Sequence, residues 1–181
     1  VRPSHTVRTG LPIMTGDSDV MARRILDGEP AIVAGDGHTP WTLTRSADFA
    51  VPFVGLFGNT AAYRDIFHIT SDCAHIWDDI QNTIASMLKV EANIVHVPTD
   101  TLIRYNPEWT GPLVGDKAWT AIFDNSKIKS VVGDFSCAER LEDILAEPIT
   151  NLKQRLAAQR PPRAELDALV DWICREQSSL G

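Results

Sequence analysis

The stretch Pro30-Ala-Ile-Val-Ala-Gly-Asp-Gly-His-Thr-Pro-Trp-Thr-Leu-Thr-Arg-Ser-Ala-Asp-Phe-Ala50 decides how the rest of the chain is read. Ala31 to Ala34 is a short apolar run of the kind that forms a buried strand. Asp36-Gly37 follows, and glycine tolerates the positive φ that a two-residue hairpin turn requires, so the local expectation is a hairpin. The second strand carries Trp41, Thr44 and Arg45. Ser46 or Asp48 then stands where a helix N-cap belongs, ahead of the apolar positions Phe49, Phe53, Leu56 and Phe57. A largely buried helix over 46–57 is expected. Asp48 is explained by the helix dipole alone. For Trp41, Thr44 and Arg45, ligand contact and a solvated surface are both open: alternate strand residues share a face, and a guanidinium can clamp an anion bidentately.

Outward from this stretch, strands and helices alternate. Val20, Met21, Ile25 and Leu26 give one helix face ahead of Gly28. Residues 65–70 alternate as a strand, and Thr70-Ser71-Asp72 can cap a helix with the stripe Ile76, Trp77, Ile80, Ile84, Met87 and Leu88. Asn93 to Val97 is a short β-branched run, ended by Pro98 before a helix with Leu102 and Ile103. The Pro- and Gly-containing segment 106–119 reads as an ordered loop, residues 118–123 as a strand, and Asp124-Asn125-Ser126 as the cap of a short helix. A helix from Cys137 or Ala138 is expected to break or kink near Pro148, with a further piece over 149–159. Arg160-Pro161-Pro162 separates a last amphipathic helix, 164–177, so the organisation expected is an α/β portion over 1–160 and a helical appendage over 161–181.

Composition limits the functions available. The 181 residues, 44% of them hydrophobic, suffice for a core. A formal net charge of −7 without a basic run disfavours nucleic acid and anionic membranes as partners. Apolar stretches stop short of the ~20 residues of a membrane span. The three cysteines, Cys73, Cys137 and Cys174, are scattered, so neither a disulfide framework nor a zinc site is indicated and a reducing, cytoplasmic setting is expected. His68 and His96 read as hydrogen-bonded strand histidines. Lys117, Lys127 and Lys129 are either solvated or anion contacts. Gly35-Asp36-Gly37 lacks the third glycine of a dinucleotide loop, and no nucleophile elbow or His-Glu-x-x-His occurs.

Taken in order, Val1-Arg2-Pro3-Ser4-His5-Thr6, Pro30 to Gly37, Trp41 to Ala50, Phe67 to Asp72 with Trp77, and Gly115-Asp116-Lys117 with Phe123 to Lys127 resemble the C-terminal part of an extended short-chain dehydrogenase/reductase of the NAD-dependent epimerase/dehydratase family. The resemblance implies a substrate-binding subdomain with remnant Rossmann strands. It implies that Arg2 and Pro3 approach the nicotinamide side of NAD(P) when a cofactor-binding half is supplied. It places His5, Thr6, Trp41, Thr44 and Arg45 at a sugar-nucleotide or related small-molecule pocket, with Arg45 as anion contact and Trp41 as a wall. Arg45 stands where many relatives carry His. The family's Gly-x-x-Gly-x-x-Gly loop and Tyr-x-x-x-Lys pair are absent, since Tyr63 and Tyr105 are followed four residues later by Phe67 and Trp109. No catalytic residue and no metal ligand is therefore assigned, and the chain alone is expected neither to bind cofactor nor to transfer hydride. It begins mid-element without Met, which reads as a truncated or split protein. A non-enzymatic module for self-association or small-ligand binding is the alternative, and a homo-oligomer or a complementary cofactor-binding chain is the expected partner.

Overall fold

The computed structural model describes residues 1–158 and 164–179 and is α/β throughout. The strands are β1 (Arg2–Pro3), β2 (His5–Val7), β3 (Ala31–Ala34), β4 (Pro40–Trp41), β5 (Leu43–Arg45), β6 (His68–Ile69), β7 (His75–Ile76) and β8 (Ile94–Val97). The helices are α1 (Ser18–Leu26), α2 (Ser46–Gly55), α3 (Trp77–Leu88), α4 (Thr99–Tyr105), the single turn α5 (Thr110–Pro112), α6 (Ser126–Val132), α7 (Leu141–Ala158) and α8 (Ala164–Ser178). Three parallel pairs, β1 with β6, β2 with β5 and β3 with β8, stand beside one antiparallel pair, β4 with β7.

The expected hairpin does not form. β3 pairs with β8 in parallel, from Ala31 opposite Ile94 to Ala34 opposite Val97. All four β3 residues are buried, and a strand covered on both faces is what a parallel pair under crossover helices requires. Asp36-Gly37 still turns the chain, with Gly37 at φ 77° and the Asp36 carboxylate accepting from the His38 N–H. The turn delivers the chain to the start of α3, where the Asp78 N–H donates to the Gly37 carbonyl at 3.1 Å.

One large core collects Ile25, Val33, Leu43, Trp77, Ile80, Ile84, Leu102, Leu145, Leu152, Val170 and Ile173. The α3 stripe is as expected from Trp77, where the helix starts, while Ile76 belongs to β7. Thr70 to Asp72 are engaged elsewhere: the Asn125 amide accepts from the Thr70 N–H and donates to the Thr70 carbonyl and to Asp72. The strand expected over 118–123 reduces to one bridge, Trp41 to Ala121. Helix α7 begins at Leu141 and runs unbroken through Pro148, with Leu141, Ile144, Leu145, Pro148, Ile149 and Leu152 buried along it. Packing of that face outweighs the one hydrogen bond the proline removes. The expected boundary at 160/161 lies outside the described residues. Beyond it, α8 places Val170 and Ile173 in the main core.

A smaller apolar cluster joins Phe67, Ile69 and Ile128 with Phe49, Phe53, Val131, Val132 and Phe135. It anchors α2, which is not the largely buried helix expected. It ends at Gly55 and buries only Pro52, leaving Val51 66%, Val54 59% and, just past its end, Phe57 68% exposed.

Candidate ligand-binding cavity

The ends of β1 and β2 turn Pro3, Ser4 and His5 toward Trp41 of β4, and the Trp41 to Ala121 bridge brings the following segment alongside. Between them lies a cavity of about 370 Å³ lined by Pro3, Ser4, His5, Trp41, Asp116, Lys117, Ala121 and Phe123. That is within the size of small-ligand sites. Larger recesses beside α8 and along α3 gather fewer of the residues singled out from the sequence.

Two tryptophans fix the back of the cavity. Trp41 is 4% exposed and Trp77 fully buried, and their rings lie 5.4 Å apart at 35°. The free edge of Trp41 meets His5 in a T-shaped contact, and its Nε1–H donates to His5 Nδ1 at 3.1 Å. A neutral imidazole that accepts at Nδ1 carries its proton on Nε2. The neutral form is favoured. Burial, then the Lys117 cation, lower the His5 pKa to about 4, against a smaller opposing effect of Asp116. The Lys117 ammonium donates to the Asp116 carboxylate at 3.3 Å, and the lysine side chain, 16% exposed, is more buried than the aspartate at 55%. Both come from the π-helical turn Leu113–Lys117. Phe123 forms a side wall and stacks on His68 at 5.2 Å.

Of the residues expected at a site, Pro3, His5 and Trp41 converge on this cavity. The others do not line it. Arg2 is exposed on β1, paired in register with His68. Thr6 is exposed and its hydroxyl reaches the Ser4 carbonyl at 3.4 Å. Thr44 is 1% exposed, its hydroxyl accepting from the Ser71 N–H at 2.8 Å and bonded to the Ser4 hydroxyl at 2.7 Å. Arg45 grips Asp48 with two hydrogen bonds, 2.9 and 2.6 Å. That grip, together with the Ala138 N–H donated to it, holds the Asp48 carboxyl below its usual range. Asp48 therefore joins β5 to the segment before α7 and does not cap α2, whose N-cap is Arg45 with no side-chain bond. Ser4, Asp116 and Phe123 stand in the quoted motifs without an assigned site role, Lys117 is among the ambiguous lysines, and Ala121 has no sequence signal. The π-turn brings Asp116 and Lys117, and the bridge at Ala121 the segment with Phe123, alongside Trp41.

The described residues offer a dinucleotide no fitting pyrophosphate cradle at the Gly35-Asp36-Gly37 turn. A Cβ on Gly37 would lie 2.0 Å from the Asp78 carboxylate, so an acid already fills that space. Asp36 adds a second negative charge, and both oppose an anionic group. Asp78 is instead bonded to His96 at 2.9 Å. Among the described residues, no group of three or more His, Cys, Asp or Glu could hold a metal ion, and no helix is long and apolar enough to cross a membrane.

No family model and no curated protein matches the chain. Solved structures do. UDP-glucuronic acid 4-epimerase from Bacillus cereus, in complex with UDP-glucuronic acid and NAD, superposes at a TM-score of 0.63 with 16% identity, over 84% of this chain and 44% of that one. The chain has the fold of the C-terminal part of an epimerase. UDP-glucose 4-epimerase from Thermotoga maritima, with UDP-glucose, gives 0.63 and 17% over 86% of this chain and 45% of its own. An epimerase from Methanothermobacter thermautotrophicus gives 0.65 and 12% over 87% and 43%. This epimerase-like chain thus spans less than half the length of the structures it matches.

Proposed function

We propose that this chain is the substrate-binding part of an NAD-dependent epimerase/dehydratase-like oxidoreductase, taking a sugar nucleotide or a related small molecule. The observation that carries the reading is the cavity in which Pro3, His5 and Trp41 meet Lys117, on a fold whose neighbours were solved with UDP-sugars and NAD. Hydride transfer belongs to a complementary cofactor-binding unit, either a separate chain or further sequence of the same protein. Neither Tyr63 nor Tyr105 is followed by the lysine a phenolate base would need, and the Gly35 to Gly37 turn is set against a pyrophosphate by Asp36 and Asp78. Arg2 and Pro3 remain the proposed nicotinamide-side contacts once that unit is in place. Thr6, Thr44 and Arg45 remain proposed as substrate-side residues, with Arg45 needing to release Asp48 before it can meet an anion. The free thiols of Cys73, Cys137 and Cys174 suit a reducing cytoplasm.

Calorimetry on the isolated chain tests this directly. UDP-glucose or UDP-glucuronic acid should bind, NAD⁺ and NADH should not, and mutation of His5 should weaken the sugar nucleotide. Tight binding of NADH by this chain alone would overturn the division of labour. One observation favours a second reading, a non-enzymatic module that associates with itself: the exposed apolar residues Val51, Val54 and Phe57. On that reading the chain forms a dimer at micromolar concentration in the absence of any other unit.

A further inference from the structure

We propose that the His5 cavity is a subsite for an anionic oxygen of the ligand, taken jointly by the His5 Nε2–H and the Lys117 ammonium, with Trp41 as the positioning residue that holds the imidazole in the Nε2–H form. The proposal rests on the sugar-nucleotide reading above and adds the chemical class of the group that enters this cavity.

Three observations converge on it. The Trp41 indole N–H has only donor capacity, so the His5 nitrogen 3.1 Å from it has to accept. The tautomer is thereby set by a tryptophan that is itself pinned against Trp77 and cannot turn away. Among the described residues, His5 Nε2 has no hydrogen-bond partner in the protein, while the residue lines the cavity. The third observation is the pair of charges that lines the cavity. In a chain of net charge −7, Lys117 and Asp116 stand there as an ion pair at 3.3 Å, the lysine side chain 16% and the aspartate 55% exposed. The cation is the less exposed partner, and its bond to Asp116 leaves further N–H donors for a ligand oxygen. A neutral donor and an ammonium lining one cavity favour a carboxylate or phosphate oxygen, which takes charge-assisted bonds, over a neutral hydroxyl. Protonated His5 is not needed for this, and an imidazole kept neutral keeps the same single donor across physiological pH.

The test uses the full chain labelled with 15N and three probes: inorganic phosphate, glucuronate and UDP-glucose. In the unliganded protein at pH 7, the His5 ring should give one protonated nitrogen, Nε2, and one unprotonated, Nδ1. Glucuronate or phosphate should shift the His5 Nε2 signal in a saturable way, and Lys117→Met should weaken that anion by about tenfold while leaving the tautomer unchanged. Trp41→Phe should instead mix the two tautomers. Should that variant fail to fold, the wild-type tautomer alone decides the role of Trp41, and a proton on Nδ1 overturns it. A response to glucuronate but not phosphate identifies a carboxylate site, and the reverse a phosphate site; either supports the subsite. Binding of UDP-glucose with His5 silent to both anions overturns the subsite and leaves the proposed function standing. Anion binding without any UDP-glucose binding supports the subsite and removes the sugar-nucleotide reading.

Discussion

His5 shows how neighbours can keep one side chain neutral through a pH range in which its free form takes a proton. Its folded pKa of about 4 lies below the unfolded value of 6.5, so between those limits the unfolded chain binds the extra proton. Stability from this group is complete above pH 6.5 and is lost as the pH falls toward 4, by up to roughly 3 kcal/mol from the size of the shift. His75, also lowered by burial, acts in the same direction. Thermal melts from pH 7 to pH 4 should therefore fall steeply in the wild type and less steeply in His5→Gln, and equal slopes would remove His5 as the cause. Gly37 makes the complementary point about space. With φ at 77° and the Asp78 carboxylate 2.0 Å from where a Cβ would stand, Gly37→Ala is expected to cost about 1–3 kcal/mol, combining backbone strain with displacement of Asp78 from His96. Chemical denaturation measures it, and a neutral result would mean that the turn has freedom to move.

At the scale of elements, the joints are ionic as well as apolar. Arg24 of α1 is 1% exposed and meets Asp167 and Asp171 of α8 together with Glu29, while its Nε donates to the Pro30 carbonyl. Arg23 adds a second bond to Asp167. Removing the guanidinium leaves Asp171 and Glu29 without their counter-charge and the Pro30 carbonyl without its donor, while Asp167 keeps Arg23, so Arg24→Ala should cost about 2 kcal/mol and lower hydrogen-exchange protection in α8 more than in α3. Uniform loss across the molecule would show that α8 is not separately held. Arg155 makes a similar clip from α7, donating to Asp19 and to the Thr9 carbonyl. The contacts to Asp167 and Asp171, and those of Arg155 to Asp19 and Thr9, join residues more than a hundred positions apart, which explains why periodicity finds α1, α7 and α8 but not their joints. The continuity of α7 through Pro148 has the same origin, because its buried face packs onto α3 and the β2 and β5 strands.

For the molecule as a whole, the uneven distribution of apolar surface matters most. The main core is closed, whereas Val51 and Val54 of α2 and Phe57 just past its end present apolar surface near the smaller cluster. Beside it, β1 and β6 make only a two-stranded parallel sheet, and parallel sheets are ordinarily covered on both faces. Under the proposed function this face receives the cofactor-binding unit. Val54→Asp and Phe57→Asp should each leave the melting temperature close to wild type, since an exposed side chain contributes within about 0.5 kcal/mol, and should abolish association with that unit. Sedimentation separates the readings: a monomer at high concentration agrees with a complementary unit, and a dimer dispersed by Phe57→Asp agrees with self-association.

The sequence by itself determined the α/β alternation, the stripe of α3, the apolar face of α8 and the ordered motifs that resemble the C-terminal part of an epimerase. Those signals are local, because an amphipathic period or a turn residue acts on its near neighbours. His5 and Trp41 were also legible as candidates, through their place in those motifs. Only the tertiary structure decided that β3 pairs with the distant β8, because a fully apolar strand carries no alternation to specify its partner. It likewise decided that Thr44 and Arg45 are engaged by Ser4, Ser71 and Asp48, and that Lys117 joins His5. Hydrogen bonds and charges act across whatever distance in sequence the fold closes, and the cavity at His5 exists only after β2, β4 and the π-turn have met.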